Sequence, residues 1–293
     1  MKSPTSIAAA FVVSAFTVQS VQAALDIQIE FFADPDPALL PFFEDAAATW
    51  ETLLVDHQDG FVTDTLLNSS AVAGTELSTV NVSVGFGEID GPGGDSGTSI
   101  LSGVVVDASG YLLASDVIVI FDQADLPGLV DSDLFDDAVR HVLAHALGFG
   151  GAIWIVNEVY VIDSGEFLGA NATAVWNTTF GQPGTPDVEL DGPGTIADDH
   201  WNDFDSSIID DEGRPLEFEL MTGFLAPLPG TTDTFISDLT LGSFQDIGYL
   251  APIPEPASFG LLAGVSLLLR RRNWRQRRPI SHHKRAFGAR QKY

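Results

Sequence analysis

The 293-residue chain contains no cysteine. That excludes a disulfide scaffold, a thiolate zinc site, an iron–sulfur cluster and a cysteine nucleophile. Basic residues are nearly as scarce. Ten of the 13 Lys and Arg lie between Arg270 and Tyr293 and Lys2 opens the chain, leaving only Arg140 and Arg214 between residues 24 and 253. Two bases against 40 acids give that stretch a formal charge of −38, within a whole-chain charge of −28. So acidic a body repels phosphate backbones, which excludes nucleic acid as a partner. Self-repulsion keeps it soluble, and either a saline exterior or Asp-rich calcium-binding loops would account for the excess. Hydrophobic residues still make up 45% of the chain, enough for a core. The length suits one sizeable domain or two small ones.

The two ends read as addresses. Lys2, the apolar run Ile7 to Val18 and Val21-Gln22-Ala23 have the order of a secretory signal peptide, so residues 1–23 are set apart from the fold. At the other end Pro254-Glu255-Pro256 precedes an apolar run from Ala257 to Leu269 and then Arg270-Arg271-Arg272. The run is shorter than the ~20 residues that span a bilayer, yet its cationic stop fits a membrane-held segment. Residues 251–272 resemble the PEP-CTERM sorting signal of Gram-negative exporters. The resemblance implies transient membrane association, processing by an exosortase-type enzyme, and a secreted or cell-surface location. The basic tail 273–293 departs from that pattern, which usually stops at the Arg cluster.

Between the ends, Leu25–Phe32 and Thr79–Phe86 alternate as strands and Asp116–Asp122 is a short buried strand. Pro37–Val55 has the spacing of an amphipathic helix, and Asp131–Leu147 that of a helix with acids in its first turn. Gly91–Gly97 is a glycine loop without the Gly-Lys-Ser/Thr ending of a phosphate loop. Ala152–Ile162 is β-like, Gly165–Gly230 is long and loop-rich, and Ser237–Tyr249 forms a last helix.

Four histidines lie outside the tail: His57, His141, His145 and His200. His141 and His145 are four apart, so one helix face presents both rings to one ion. Two neutral imidazoles suit zinc. His57, after the first long helix, reads as a surface residue rather than a ligand.

The run His141-Val-Leu-Ala-His145-Ala-Leu-Gly148-Phe-Gly150, with Trp154 beyond it, resembles the zinc helix of leishmanolysin-like metallopeptidases. So do His200-Trp201, placed 55 residues after His145, and Glu219-Leu-Met221-Thr-Gly223. The resemblance implies that His141, His145 and His200 hold Zn2+ and that Met221 marks a Met-turn. It also implies a metzincin-like α/β (α+β) domain over residues 24–250, a twisted sheet plus helices with a loop-rich C-terminal subdomain. Its substrate or ligand would be a peptide or protein.

One position departs from that family. Active members read His-Glu-x-x-His, and here Val142 replaces the glutamate that takes the proton of the attacking water. Losing such a group costs roughly 10²–10⁴ in rate. Asp137, Glu158 and Asp163 are nearby acids, and none matches the missing position. Ala144 also replaces a glycine of the family pattern. Three functions follow as expectations: a zinc-binding protein with weak or no peptidase activity, an active metalloendopeptidase using another base, or a non-catalytic surface or biofilm-matrix protein whose acidic loops take Ca2+.

Overall fold

The computed structural model describes residues 24–191, 197–231 and 234–252. The signal-peptide reading of residues 1–23, the segment from Ile253 and the basic tail all lie outside the described residues. The body extends to Pro252, since Ala251 is buried and its carbonyl accepts a hydrogen bond from Gln245.

The protein is mixed α/β, built on a five-stranded sheet. Strands β1 (Asp26–Phe31), β4 (Thr79–Gly87) and β6 (Leu112–Asp122) run parallel. Strand β5 (Gly97–Asp107) is antiparallel to β6, and β3 (Val62–Leu67) is antiparallel to β5, giving the order β1-β4-β6-β5-β3. A separate pair joins β2 (Asp56–His57) to β7 (Tyr249–Leu250). The buried positions of β4 alternate through Val80, Val82 and Val84, as a pleated strand with one covered face requires.

Helices α1 (Leu40–Leu53) and α3 (Phe135–Ala146) cover the sheet. Phe43 of α1 sits at their junction, with ring centroids 5.1 Å from Phe31, 5.5 Å from Phe121 and 6.0 Å from Phe135. These edge-on contacts suit the aromatic quadrupole, and full burial of Phe43 contributes about 1.5–3 kcal/mol. Trp50 completes the seam, its indole N–H donating to the Arg140 carbonyl of α3 at 2.9 Å.

Three expectations need correction. The helix expected from Asp131 starts later, at Phe135: Asp131 closes a separate short helix, α2 (Leu126–Asp131), and Asp133, at a φ of +60°, turns the chain into α3. The β-like run from Ala152 begins in the short helix α4 (Gly151–Val156), because a brief apolar run of Ile, Trp and Val reads the same in either geometry. His57 is fully buried: its ring lies 4.8 Å from that of Tyr249, and Nδ1–H donates to the Leu77 carbonyl at 3.1 Å. It lies outside the histidine cluster described below. Strands β3 and β5 and helix α5 (Ala170–Thr178) were not read from the sequence. The last helix, α6 (Asp238–Asp246), opens on Ser237, whose hydroxyl caps the Thr240 amide at 3.3 Å.

Candidate metal centre

Helix α3 presents His141 and His145 to a cleft and then stops abruptly. Gly148 takes a φ of +109°, a conformation that L side chains rarely adopt, and its amide donates to the His145 carbonyl at 3.0 Å. Gly150, at φ +125°, lets the chain pass close to the site. A Cβ there would lie 2.9 Å from Asp199 Oδ1 and 3.4 Å from His145 Nδ1. The chain returns to the site far downstream, where Trp201 pairs with Val188 on one side and Thr222 on the other. Those bridges bring His200 to the helix. Trp201 is itself locked in an aromatic cluster, its ring 5.3 Å from Trp154 and Phe167 and 5.4 Å from Phe149.

The three imidazoles converge. Their Nε2 atoms are 3.0 Å apart for His141–His200 and 3.1 Å for His145–His141 and His145–His200. Among the described residues this is the one group of such side chains close enough to hold a metal ion. His141 Nδ1–H donates to the Leu220 carbonyl at 2.7 Å, and His145 Nδ1–H to the Phe149 carbonyl at 2.8 Å. Those bonds settle two tautomers and leave the Nε2 lone pairs facing each other. At most one proton, on His200, could lie among the three nitrogens, so two acceptors oppose each other at 3.1 Å. A cation relieves that opposition. Burial first, then the neighbouring His145, pushes His141 down to about 3, and burial pushes His145 down to about 4, so both are neutral, the form that binds metal. Tetrahedral zinc with bonds of ~2.0–2.1 Å spaces its nitrogens ~3.3 Å apart. The observed triangle is a few tenths of an ångström tighter, and its donor set fits that ion.

Val142 lies in the wall of the same cleft, which encloses about 580 Å³. It is 3% exposed and packs on β5, where a Cβ at Gly97 would come within 2.9 Å of its Cγ2. Beyond Gly97, residues Thr98, Ser99 and Leu101 also rim the cleft. Strand β3 pairs with β5 only from Gly103 onward, so among the described residues this end of β5 has no strand on its outer side. The Ser96 carbonyl accepts from Asp122 of β6, and the antiparallel alternation turns the peptide groups of Gly97, Ser99 and Leu101 outward. That is an open edge able to pair with an extended chain.

Met221 is fully buried, and the turn around it serves both arms of the site: Leu220 supplies the carbonyl for His141, and Met221 the carbonyl for the Trp201 amide at 3.0 Å. Asp137 points away from the cleft, its carboxylate taken by the Thr234 amide and hydroxyl at 2.9 Å and by Arg140. Glu158 and Asp163 are exposed and do not line the cleft. The acids that do line it are Asp90, Asp95 and Asp199. Asp199 accepts from the Gly151 amide at 2.5 Å, and burial holds its carboxyl above the usual range.

Comparison of the chain with protein-family models, with curated proteins and with solved structures finds no match to any of them.

Proposed function

We propose that the chain is a secreted, leishmanolysin-like zinc protein of metzincin type that binds extended peptide in its cleft and has weak or no peptidase activity. The convergence of three Nε2 atoms at 3.0–3.1 Å carries the reading. His141, His145 and His200 would hold Zn2+, which supplies Lewis acidity at an open coordination position. Leu220 and Phe149 orient two of the rings through their carbonyls. The outward peptide groups of Gly97, Ser99 and Leu101 align a peptide beside the histidines, by main-chain pairing that is indifferent to most side chains.

Val142 limits the chemistry. It faces the cleft where the resemblance places the proton acceptor, and an isopropyl group can neither accept nor donate a proton. Export through the N-terminal segment and surface display through the PEP-CTERM-type segment belong to the same proposal.

Zinc content tests it. Purified full-length protein reconstituted with zinc is expected to hold about one ion per chain, and His200→Ala to lose it. Less than one zinc per chain in the wild type, unchanged in His200→Ala, would overturn the assignment and favour a matrix protein without the metal. Casein cleavage by the wild type that a chelator abolishes, at the rate of a Val142→Glu variant, would favour an active peptidase using another base.

A further inference from the structure

Glu219 is a carboxylate with no exposed surface and no role in the chemistry just described. Its Oε2 accepts from the Met221 amide at 2.5 Å. Its Oε1 accepts from the Ser237 amide at 3.1 Å, the Ser237 hydroxyl at 3.2 Å and the Thr240 hydroxyl at 2.5 Å. The Thr240 oxygen in turn accepts from the Trp201 indole N–H at 2.9 Å. Ser237 and Thr240 form the first turn of α6, whose positive end faces the carboxylate.

Two of these links lead toward a histidine. Met221 follows Leu220, whose carbonyl receives the His141 Nδ1–H. Trp201 follows His200. One buried group therefore ties the carbonyl that aims His141 to the residue that carries His200, although the two histidines are 59 residues apart. We propose that Glu219 is a positioning residue that sets the separation of His141 and His200. The role rests on the three-histidine centre proposed above. Charge is essential to it: four donors converge on two oxygens, and an amide would turn N–H groups toward donors on one side.

Glu219→Gln in the full-length protein is the test, with zinc affinity measured by competition against a chromophoric chelator and ligand geometry by the visible spectrum of the cobalt-loaded form. Orienting groups behind metal ligands are typically worth ~10–100-fold in metal affinity, so Glu219→Gln is expected to weaken zinc by about that factor and to alter the cobalt bands. Asp246→Asn is the control for general destabilisation. Asp246 is another buried carboxylate of α6, but it accepts from the Asn171 and Ala172 amides of α5 at 2.8 and 2.9 Å and touches neither histidine-bearing segment. It is expected to keep wild-type zinc affinity and the wild-type cobalt spectrum.

Zinc binding by Glu219→Gln within twofold of wild type, or an equal loss in Asp246→Asn, would overturn the positioning role while the metal centre stands. Wild type that takes up no zinc would overturn both. If Glu219→Gln does not fold, Thr240→Val removes the hydroxyl that joins Glu219 to the Trp201 indole and leaves the Met221 and Ser237 bonds in place. It is then expected to lower zinc affinity several-fold, and an unchanged affinity and spectrum would refute the role.

Discussion

Restoring an acid at Val142 asks the most of the structural reasoning. The valine lies in the cleft wall against Gly97, where no Cβ obstructs it, so a glutamate can lay its methylenes over that glycine and place its carboxylate in the open cleft. The substitution gives up the burial of a valine, about 1.5–3 kcal/mol at most, against the ~5–15 kcal/mol by which domains are usually stable. A general base contributes about 10²–10⁴ in rate, which is about 2.7–5.4 kcal/mol of barrier. Val142→Glu is therefore expected to cleave a fluorogenic casein at least ~10²-fold faster than wild type in the presence of zinc. The double variant Val142→Glu/His200→Ala should return to background, and so should a chelated sample. The cleavage assay should be run beside a thermal melt, so that a rate is compared only between folded proteins. A folded, zinc-loaded Val142→Glu protein with less than about tenfold gain would refute the geometry, because the restored acid would then not reach the reacting water.

Other perturbations test separate parts of the structure. His57 has a folded pKa of about 4 against an ordinary 6.5, because burial disfavours its cation. The unfolded chain therefore takes up a proton below pH 6.5 while the native state does not until about pH 4, and about 3 kcal/mol of stability is lost as pH falls through that window. Glu219 acts in the opposite sense: burial raises it from 4.5 to about 6, so its contribution improves as pH falls from 6 to 4.5. His57→Asn, which keeps a donor for Leu77, should remove the first slope and leave the second; denaturation curves with parallel pH dependence for both proteins would contradict the burial argument. Gly150→Ala forces a side chain into φ +125° and against Asp199, and should cost about 1–3 kcal/mol together with weaker zinc binding, read by denaturant titration and metal competition. Zinc at 100 times its Kd should add about 2.7 kcal/mol, or roughly 5–10 °C in Tm; the same rise in His200→Ala would mean that the metal binds elsewhere.

Much of this protein was legible along the chain because its physics is local. The four-residue spacing of His141 and His145 puts both on one helix face whatever surrounds them, and Gly148 ends the helix for a reason visible in one residue. The alternation of Thr79–Phe86 and the helical spacing after Pro37 likewise report which face is buried, and β4 and α1 follow them closely. The absence of cysteine excluded thiol chemistry outright. Family resemblance, not spacing, pointed to His200, since nothing near His200 in the chain marks it as a partner of α3.

Tertiary structure decided the rest. Strand β5 escapes a reading from sequence because its edge half is only partly buried and does not alternate cleanly, yet its outward peptide groups lie beside the cleft. His57 lies in the polar run Asp56-His57-Gln58-Asp59, which reads as surface, and only the pairing of β2 with β7 beneath Tyr249 buries it. Glu219 opens the run that ends at Gly223, but nothing in the chain marks it as buried, because a glutamate in a loop is ordinarily solvated. It acquires a role only where the Met221 turn, Trp201 and the first turn of α6 meet, since a buried carboxylate must find its hydrogen bonds inside the protein, and here those bonds run toward two of the three histidines.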